Sequence, residues 1–449
     1  MKDFLIVYEV KKREIENAYL LKVFLEHLGY SCDIANFYES QYYSLFGKQN
    51  YKVIIVPQLY HTEYVARVFS RFGPANTIFN LQCEQVLSDD FEAIDLHTPK
   101  GEARLAHHVC WGKRTHEKLA KSGISKEKLP VLGALSVDFI RKEIASILCP
   151  SREEIAEKFN LDPAKKWLLF TSSFTFADMP EDRRKMDERL LGIDLSERIE
   201  LFTKSRLLFL EWLDKYLPTI DHILIYRPHP DEYSLLPLYK LQEKYPNFRI
   251  IPDYSVRVWT YLCDSILNWY STSCVEAYFL KKPYFVVRPL PIPADIELTL
   301  MRNIKKIETF EDFKKTDFFV NDEGFHDNAC MESFYSFDVN EESVTKYVRE
   351  LSAVHSNNTK VEYTLPWKLM LKSNIKTYLV FGLHQFYGLF LKGIHKPSRS
   401  GRGFIFGTWF RAFYYNIANP EDRREALEKA MIIRQRVKTE NSQTTCAEV

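Results

Sequence analysis

Short β-branched apolar runs alternate along the chain with stretches whose apolar residues recur at helical spacing. "DFLIVYEV" predicts an opening strand, followed by a helix from about Glu16 to Leu28 that ends at Gly29. Next come a strand in "SCDIANF", a helix, and a strand in "KVIIVPQ". Further strands are predicted in "NTIFNLQCEQ", "HHVCWGK" and "LPVLGAL", with a helix near 114–122. "SREEIAEKFNLDPAKK" predicts a capped helix and a polar connector, because Ser151 and Glu154 stand at capping-box spacing; a domain boundary is expected near 150. A second series runs through "WLLFTSSF", a helix near 195–216, "HILIYRPHP", a helix near 234–244, "FRIIPD", a helix near 256–262, "SILNWYSTS", a helix near 273–280 and "PYFVVRP". Strands alternating with helices predict parallel sheets covered on both faces. The α/β reading is therefore two Rossmann-like domains, 1–150 and 151–355, then a helical region at 356–438 and a disordered tail at 439–449.

Length agrees: 449 residues exceed one ordinary core at about 150 residues per domain. The net charge of +1 argues against a nucleic-acid partner bound through an overall basic surface. That average hides a split, since no Asp or Glu occurs between Glu362 and Glu421, where eight Lys or Arg do. Removing those eight from the 61 basic residues leaves 53 against 60 acidic ones, so a cationic segment is attached to a mildly acidic body. Eight scattered cysteines without a CxxC pair read as reduced thiols in a cytoplasmic protein, and no metal site is expected. The start, "MKDFLIVYEVKKRE", turns charged too soon for a secretory signal or a membrane span.

Candidate chemistry gathers in the second series. In "LIYRPHPDEYS", Pro228 and Pro230 fix their own φ and push Arg227 and His229 into extended backbone where a buried strand stops. In "DSILNWYSTSCVEAYFLKKPYFVV" a strand, a cluster of hydroxyls and a helix follow one another. Ser271, Thr272 and Ser273 suit a phosphate at a helix N-terminus, although Ser273 and Glu276 also have capping-box spacing. Glu276 is placed to reach ribose hydroxyls or to serve that cap. Both motifs end strands, so they share a carboxyl-end rim where an anion can sit. There Arg227 would hold oxygens in a fork, protonated His229 would neutralise a leaving phosphate, and the hydroxyls would bond the rest. Thr171, Ser172 and Ser173 in "FTSSF" are further phosphate candidates, or an ordinary turn.

"YRPHP" followed by "STSCVEAYFLKKP" resembles the His-Pro and Ser/Thr motifs of bacterial surface-polysaccharide transferases of the GT-B class. "IVYEVKKREIENAYLLKVFLEHLGY", "NLQCEQV" and "VCWGKRTHEKLAKSGISKEKLPVLGALSVD" look like the amino-terminal half of surface carbohydrate biosynthesis proteins. These are similar in turn to capsule Kdo transferases, polysialyltransferases and CDP-glycerol polymerases. The resemblance spans roughly residues 1–350. It implies two domains facing a cleft, the nucleotide donor in the second and the acceptor mostly in the first, with no obligatory metal. It also implies donor-phosphate contacts from His229 and Ser271–Ser273. Related enzymes use CMP- or CDP-linked donors, so no cofactor is expected beyond a nucleotide-sugar co-substrate, with a CMP-linked acidic sugar as first choice. The acceptor would be a surface glycan or its lipid-linked precursor.

Such a transfer needs a base for the acceptor hydroxyl. Glu84 in "QCEQ", Glu9 at the end of the opening strand and His61 are the candidates in that order, each with a bland alternative as cap or solvated loop residue. In the carboxyl-terminal region Lys368, Lys372 and Lys376 step by four after Trp367, and the same step leads to Lys392 and Lys396. Leu371, Ile375, Tyr378, Leu379, Phe386 and Phe390 cluster away from that stripe, which predicts contact with an anionic membrane surface. The alternative is a helix packed on the body with its cations outward. The resulting expectation is a cytoplasmic glycosyltransferase peripheral to the inner face of a bacterial membrane. A CDP-glycerol or CDP-ribitol phosphotransferase is the rival enzyme, and a non-catalytic scaffold of a polysaccharide assembly complex the rival of another class.

Overall fold

The computed structural model describes residues 1–39, 50–320, 327–357, 359–391 and 407–446, side chains at 407–409, 411 and 438–446 excepted. Lys392 and Lys396 lie outside the described residues, as does most of the helix expected before "KVIIVPQ". The chain forms two compact units, Met1–Gln85 with Asp95–Asp138 and Glu332–Val449, and Val86–Ile94 with Phe139–Met331.

The first unit carries β1 (Lys2–Tyr8), β2 (Cys32–Asn36), β3 (Tyr51–Val56), β4 (Ala75–Asn80) and β5 (His107–His108). They form an all-parallel sheet in the order β2-β1-β3-β4-β5. In the second unit β6 (Trp167–Thr171), β7 (Ile223–Arg227), β8 (Phe248–Ile250), β9 (Ser265–Asn268) and β10 (Tyr284–Val286) are again all parallel, in the order β10-β9-β6-β7-β8. Both orders are doubly wound, with the direction of winding reversing between β1 and β3 in one sheet and between β6 and β9 in the other. All five side chains of β6 are buried, as a central parallel strand covered on both faces requires. Two Rossmann-like units with a helical carboxyl-terminal region form the α/β architecture expected of the GT-B class.

Three expectations about organisation change. "LPVLGAL" contributes only a single bridge, Val131 to Cys110, because Pro130 has no N–H to donate and Gly133 turns the chain at φ +79°. The units divide after Asp138, not near 150. Asp138 is fully buried in the first unit, where its carboxylate accepts from the backbone N–H groups of Ser343 and Val344 at 2.9 and 2.8 Å. The stretch 356–438 is no separate domain, since its helices complete the first unit. Helix Trp367–Phe386 packs on helix Thr62–Phe72, and helix Pro420–Cys446 packs on helix Lys11–His27. Val380, Tyr387, Phe410 and Phe413 join the apolar core over the first sheet, and ion pairs Lys11–Asp422 (2.6 Å) and Lys429–Glu16 (2.7 Å) fasten the last helix.

That helix also runs on to Cys446, into the tail expected to be disordered. Its inward residues Ala426, Ala430, Ile433 and Val437 keep helical period up to the boundary, so the turns beyond propagate from an anchored helix. The capping box at Ser151 and Glu154 forms as its spacing predicts. The acids of "SDDFE" take part in the second unit as ion-pair partners, Asp90 to Arg198 at 2.5 Å and Asp89 to Arg302 at 2.7 Å.

Candidate functional site

In the second unit the strand register places the candidate residues. Thr171, the last residue of β6, pairs with Arg227 of β7 on one side and with Asn268 of β9 on the other. This is the carboxyl end of the sheet at its winding reversal, where open α/β sheets bind ligands. Asn268 organises the hydroxyl turn beyond β9: its Oδ1 accepts from the Ser271 N–H at 2.8 Å, and its Nδ2 donates to the Ser271 carbonyl at 2.8 Å. Ser273 Oγ lies 2.8 Å from Thr171 Oγ1 and accepts from Asn268 Nδ2 at 3.1 Å. The capping alternative for Ser273 is not what its side chain does, because it makes no cap bond to helix Cys274–Phe279. Tertiary partners on two strands have taken the hydroxyl instead. Ser271 Oγ accepts from the Ser273 N–H at 3.2 Å, while Thr272 is exposed.

Glu276 interacts electrostatically with both Arg227 and Arg257. Burial pushes the Arg257 guanidinium down to about 10 against the pull of Glu276, lowers Arg227 for the same reason, and raises the Glu276 carboxyl against both arginines. Arg257 belongs to helix Val256–Leu262, with its guanidinium 4.6 Å from the centre of the Phe139 ring. Arg227 donates from Nη2 to the Tyr254 carbonyl at 2.9 Å. Arg227 Nε and Ser173 Oγ are buried donors on this rim with no partner among the described residues, as is Trp269 Nε1 directly after β9.

His229 is half-exposed, and its Nδ1 accepts from the Asp231 N–H at 3.1 Å, which leaves the ring proton of the neutral tautomer on Nε2. Ser172 departs from the phosphate role. It is buried, donates to Glu232 Oε2 at 2.7 Å and lies 2.8 Å from the Tyr226 hydroxyl, which is also 2.8 Å from Glu232 Oε1. Arg206 lies 3.9 Å from the same carboxylate. Since the Glu232 N–H donates to the His229 carbonyl at 3.0 Å, this buried network closes the Arg-Pro-His-Pro turn from beneath.

The first unit gathers its own polar rim at the reversal between β1 and β3. Glu9, after β1, accepts from Gln58 Nε2, after β3, at 2.5 Å and from the Tyr38 hydroxyl at 3.3 Å. Glu84, beyond β4, is paired with Arg13 at 2.5 Å and lies 3.5 Å from His97 Nε2. His97 stacks on Tyr60 with ring centres 4.7 Å apart, and burial pushes it below the usual imidazole range against the pull of Glu84. His61 sits apart from these bonds, exposed at the start of helix Thr62–Phe72.

Sequence reasoning missed Arg257, Asn268 and His97. Asn268 ends a predicted strand and carried a readable signal. Arg257 and His97 carried none, since strand order alone brings their segments to these rims. Among the described residues no group of His, Cys, Asp and Glu is arranged to hold a metal ion.

No family model matches the chain, and no curated protein matches it. Among solved structures it is similar to the UDP-GlcNAc 2-epimerase of Methanocaldococcus jannaschii in complex with UDP-GlcNAc and UDP, at 16% identity over 79% of this chain and 100% of that one, TM-score 0.49. It is similar also to the wall teichoic acid polymerase TagF, at 12% identity over 85% and 88%, TM-score 0.43. A third is the UDP-GlcNAc 2-epimerase of Neisseria meningitidis bound to UDP-GlcNAc, at 12% identity over 84% and 99%, TM-score 0.43. The functional reading rests on the chemistry of the rims themselves.

Proposed function

We propose that the chain is a nucleotide-sugar-dependent glycosyltransferase of the GT-B class that adds a sugar to a bacterial surface glycan or its lipid-linked precursor, with a CMP-linked acidic sugar as the preferred donor. One observation carries this reading: Arg227, Thr171 and Asn268 end neighbouring strands at the winding reversal of the second sheet, and among the described residues Arg227 Nε and Ser173 Oγ are buried there without a partner. A bound phosphate would supply acceptors for those donors.

In the proposed reaction the acceptor oxygen bonds to the anomeric carbon as the carbon–oxygen bond to the nucleotide phosphate breaks, and the phosphate leaves with the electron pair. Arg227 and Arg257 stabilise the charge that develops there, and His229 delivers a proton or its positive charge from Nε2. The acceptor's proton goes to a general base. Glu9 and Glu84 both have the chemistry for that step, while His61 is the weaker candidate because no bond fixes its ring among the described residues.

Calorimetric titration with CMP, CDP, UDP and GDP tests the reading. A cytidine nucleotide is expected to bind, and Arg257→Ala to abolish its binding. Absence of heat with all four, in a protein that unfolds cooperatively, would remove the basis for a transferase.

A further inference from the structure

Helix Trp367–Phe386 and the turn Tyr387–Leu391 are inside out. The side held against the first unit buries Ser373 and Thr377 along with Val380, while Trp367, Leu371, Ile375, Leu379, Leu389 and Phe390 stand 47% to 76% exposed. Water penalises such a face, and helices on a soluble core normally turn the other way round. At 3.6 residues per turn the exposed apolar residues of the helix form one arc; Lys368 falls within one half of it, and Lys372 and Lys376 stand beyond that edge in steps of four. Arg67 of the neighbouring helix Thr62–Phe72 and the buried Arg71 add to the positive potential at Lys376. No Asp or Glu occurs from residue 363 to residue 420 to offset them. Among the described residues no helix is long and apolar enough to cross a membrane, so burial of this face in lipid would have to be in-plane.

We infer that this face lies in the surface of an anionic bilayer, its apolar arc at the level of the upper acyl chains and its lysines among the headgroups. The exposed residues have the composition of an interfacial helix, with Trp367 and large aliphatics on one arc and lysines beside it. Charge selects the occupant: a second copy would set cations against cations, whereas anionic headgroups complement them. Packing of Val380 and Tyr387 into the first unit's core makes the helix a rigid part of that unit, so the unit docks as one body.

Co-sedimentation of the full chain with vesicles tests this, using phosphatidylcholine alone and an equimolar mixture with phosphatidylglycerol. The wild type is expected to pellet with the mixture and weakly with phosphatidylcholine. The triple substitution K368Q/K372Q/K376Q should weaken binding to the mixture about a hundredfold, at about fivefold per lysine. Leu371→Glu with Leu389→Glu should abolish binding to both. All five side chains are exposed, so unchanged thermal unfolding separates lost docking from lost folding. Pelleting that ignores both sets of substitutions overturns the inference. So does concentration-dependent self-association that the glutamates abolish while vesicles bind nothing, which would make the face an interface between copies. The measurement uses no nucleotide, so its failure leaves the transferase reading standing.

Discussion

Arg227→Lys is the sharpest perturbation of the proposed donor site. Arg227 gives Nη2 to the Tyr254 carbonyl, keeps Nε buried without a partner among the described residues and interacts electrostatically with Glu276. Lysine preserves the charge, but one ammonium cannot hold that carbonyl and still present planar paired donors to a phosphate. A hydrogen bond to a charged group is worth about 1.5–3 kcal/mol. Losing one therefore weakens nucleotide binding about 10- to 150-fold. The cost to folding is small, because Tyr254 is exposed and its carbonyl regains water, while Glu276 retains Arg257. The expected stability change is within about 1 kcal/mol. Titration of wild type, Arg227→Lys and Arg227→Ala with CMP and CDP, beside urea unfolding of each, reads both quantities. If charge alone mattered, lysine would bind as arginine does. Wild-type affinity in the alanine variant would refute the placement of phosphate at this rim altogether.

Glu276→Gln separates two roles of that acid. With one negative charge removed near both arginines, pyrophosphate is expected to bind severalfold tighter, while CMP, which also brings a ribose, gains less; calorimetry with the two ligands decides. Asp138→Ala leaves two buried backbone N–H groups without their acceptor, at about 1–3 kcal/mol each, so urea unfolding should show a loss of about 2–6 kcal/mol. His108 is fully buried, with Nδ1 3.0 Å from Asn80 Nδ2 and Nε2 2.9 Å from the Ala103 carbonyl, and burial pushes it from 6.5 down to about 4. Between those values the unfolded chain binds the proton and the folded one does not. Stability is therefore full above about pH 6.5 and falls as the pH drops toward 4, by about 1.4 kcal/mol per pH unit from this residue. His108→Gln should reduce the measured slope by that amount. His107, also lowered to about 4 by burial, contributes in the same direction in both proteins.

The central strands were legible because they lie in parallel sheets buried on both faces, which forces continuous apolar runs such as "WLLF" and "ILIY". Their order was not, since no local residue states which strand pairs with which. The second rim shows what that omission costs. Arg227 and Ser273 could be singled out from breakers and hydroxyls, but only the β6–β9 adjacency reveals that Thr171 binds Ser273, and that tertiary bond displaces the helix cap that spacing suggested. Arg257 had no local mark at all. Ser172 had the wrong one, because a hydroxyl after a strand reads alike whether it faces a ligand or, as here, a buried Glu232.

The carboxyl-terminal helices failed in a different way. The four-residue step of Lys368, Lys372 and Lys376 was readable, and so was the apolar cluster, but periodicity gives only the existence of two faces. Which face turns inward depends on what the rest of the unit offers. Here the first sheet's core takes Val380, Tyr387, Phe410 and Phe413, while the larger share of the helix's apolar surface faces outward. A membrane-facing helix and a packed helix do not exclude one another: one helix satisfies the core with one side and presents the other, so the packing that removes it as a domain is what makes its exposed face rigid.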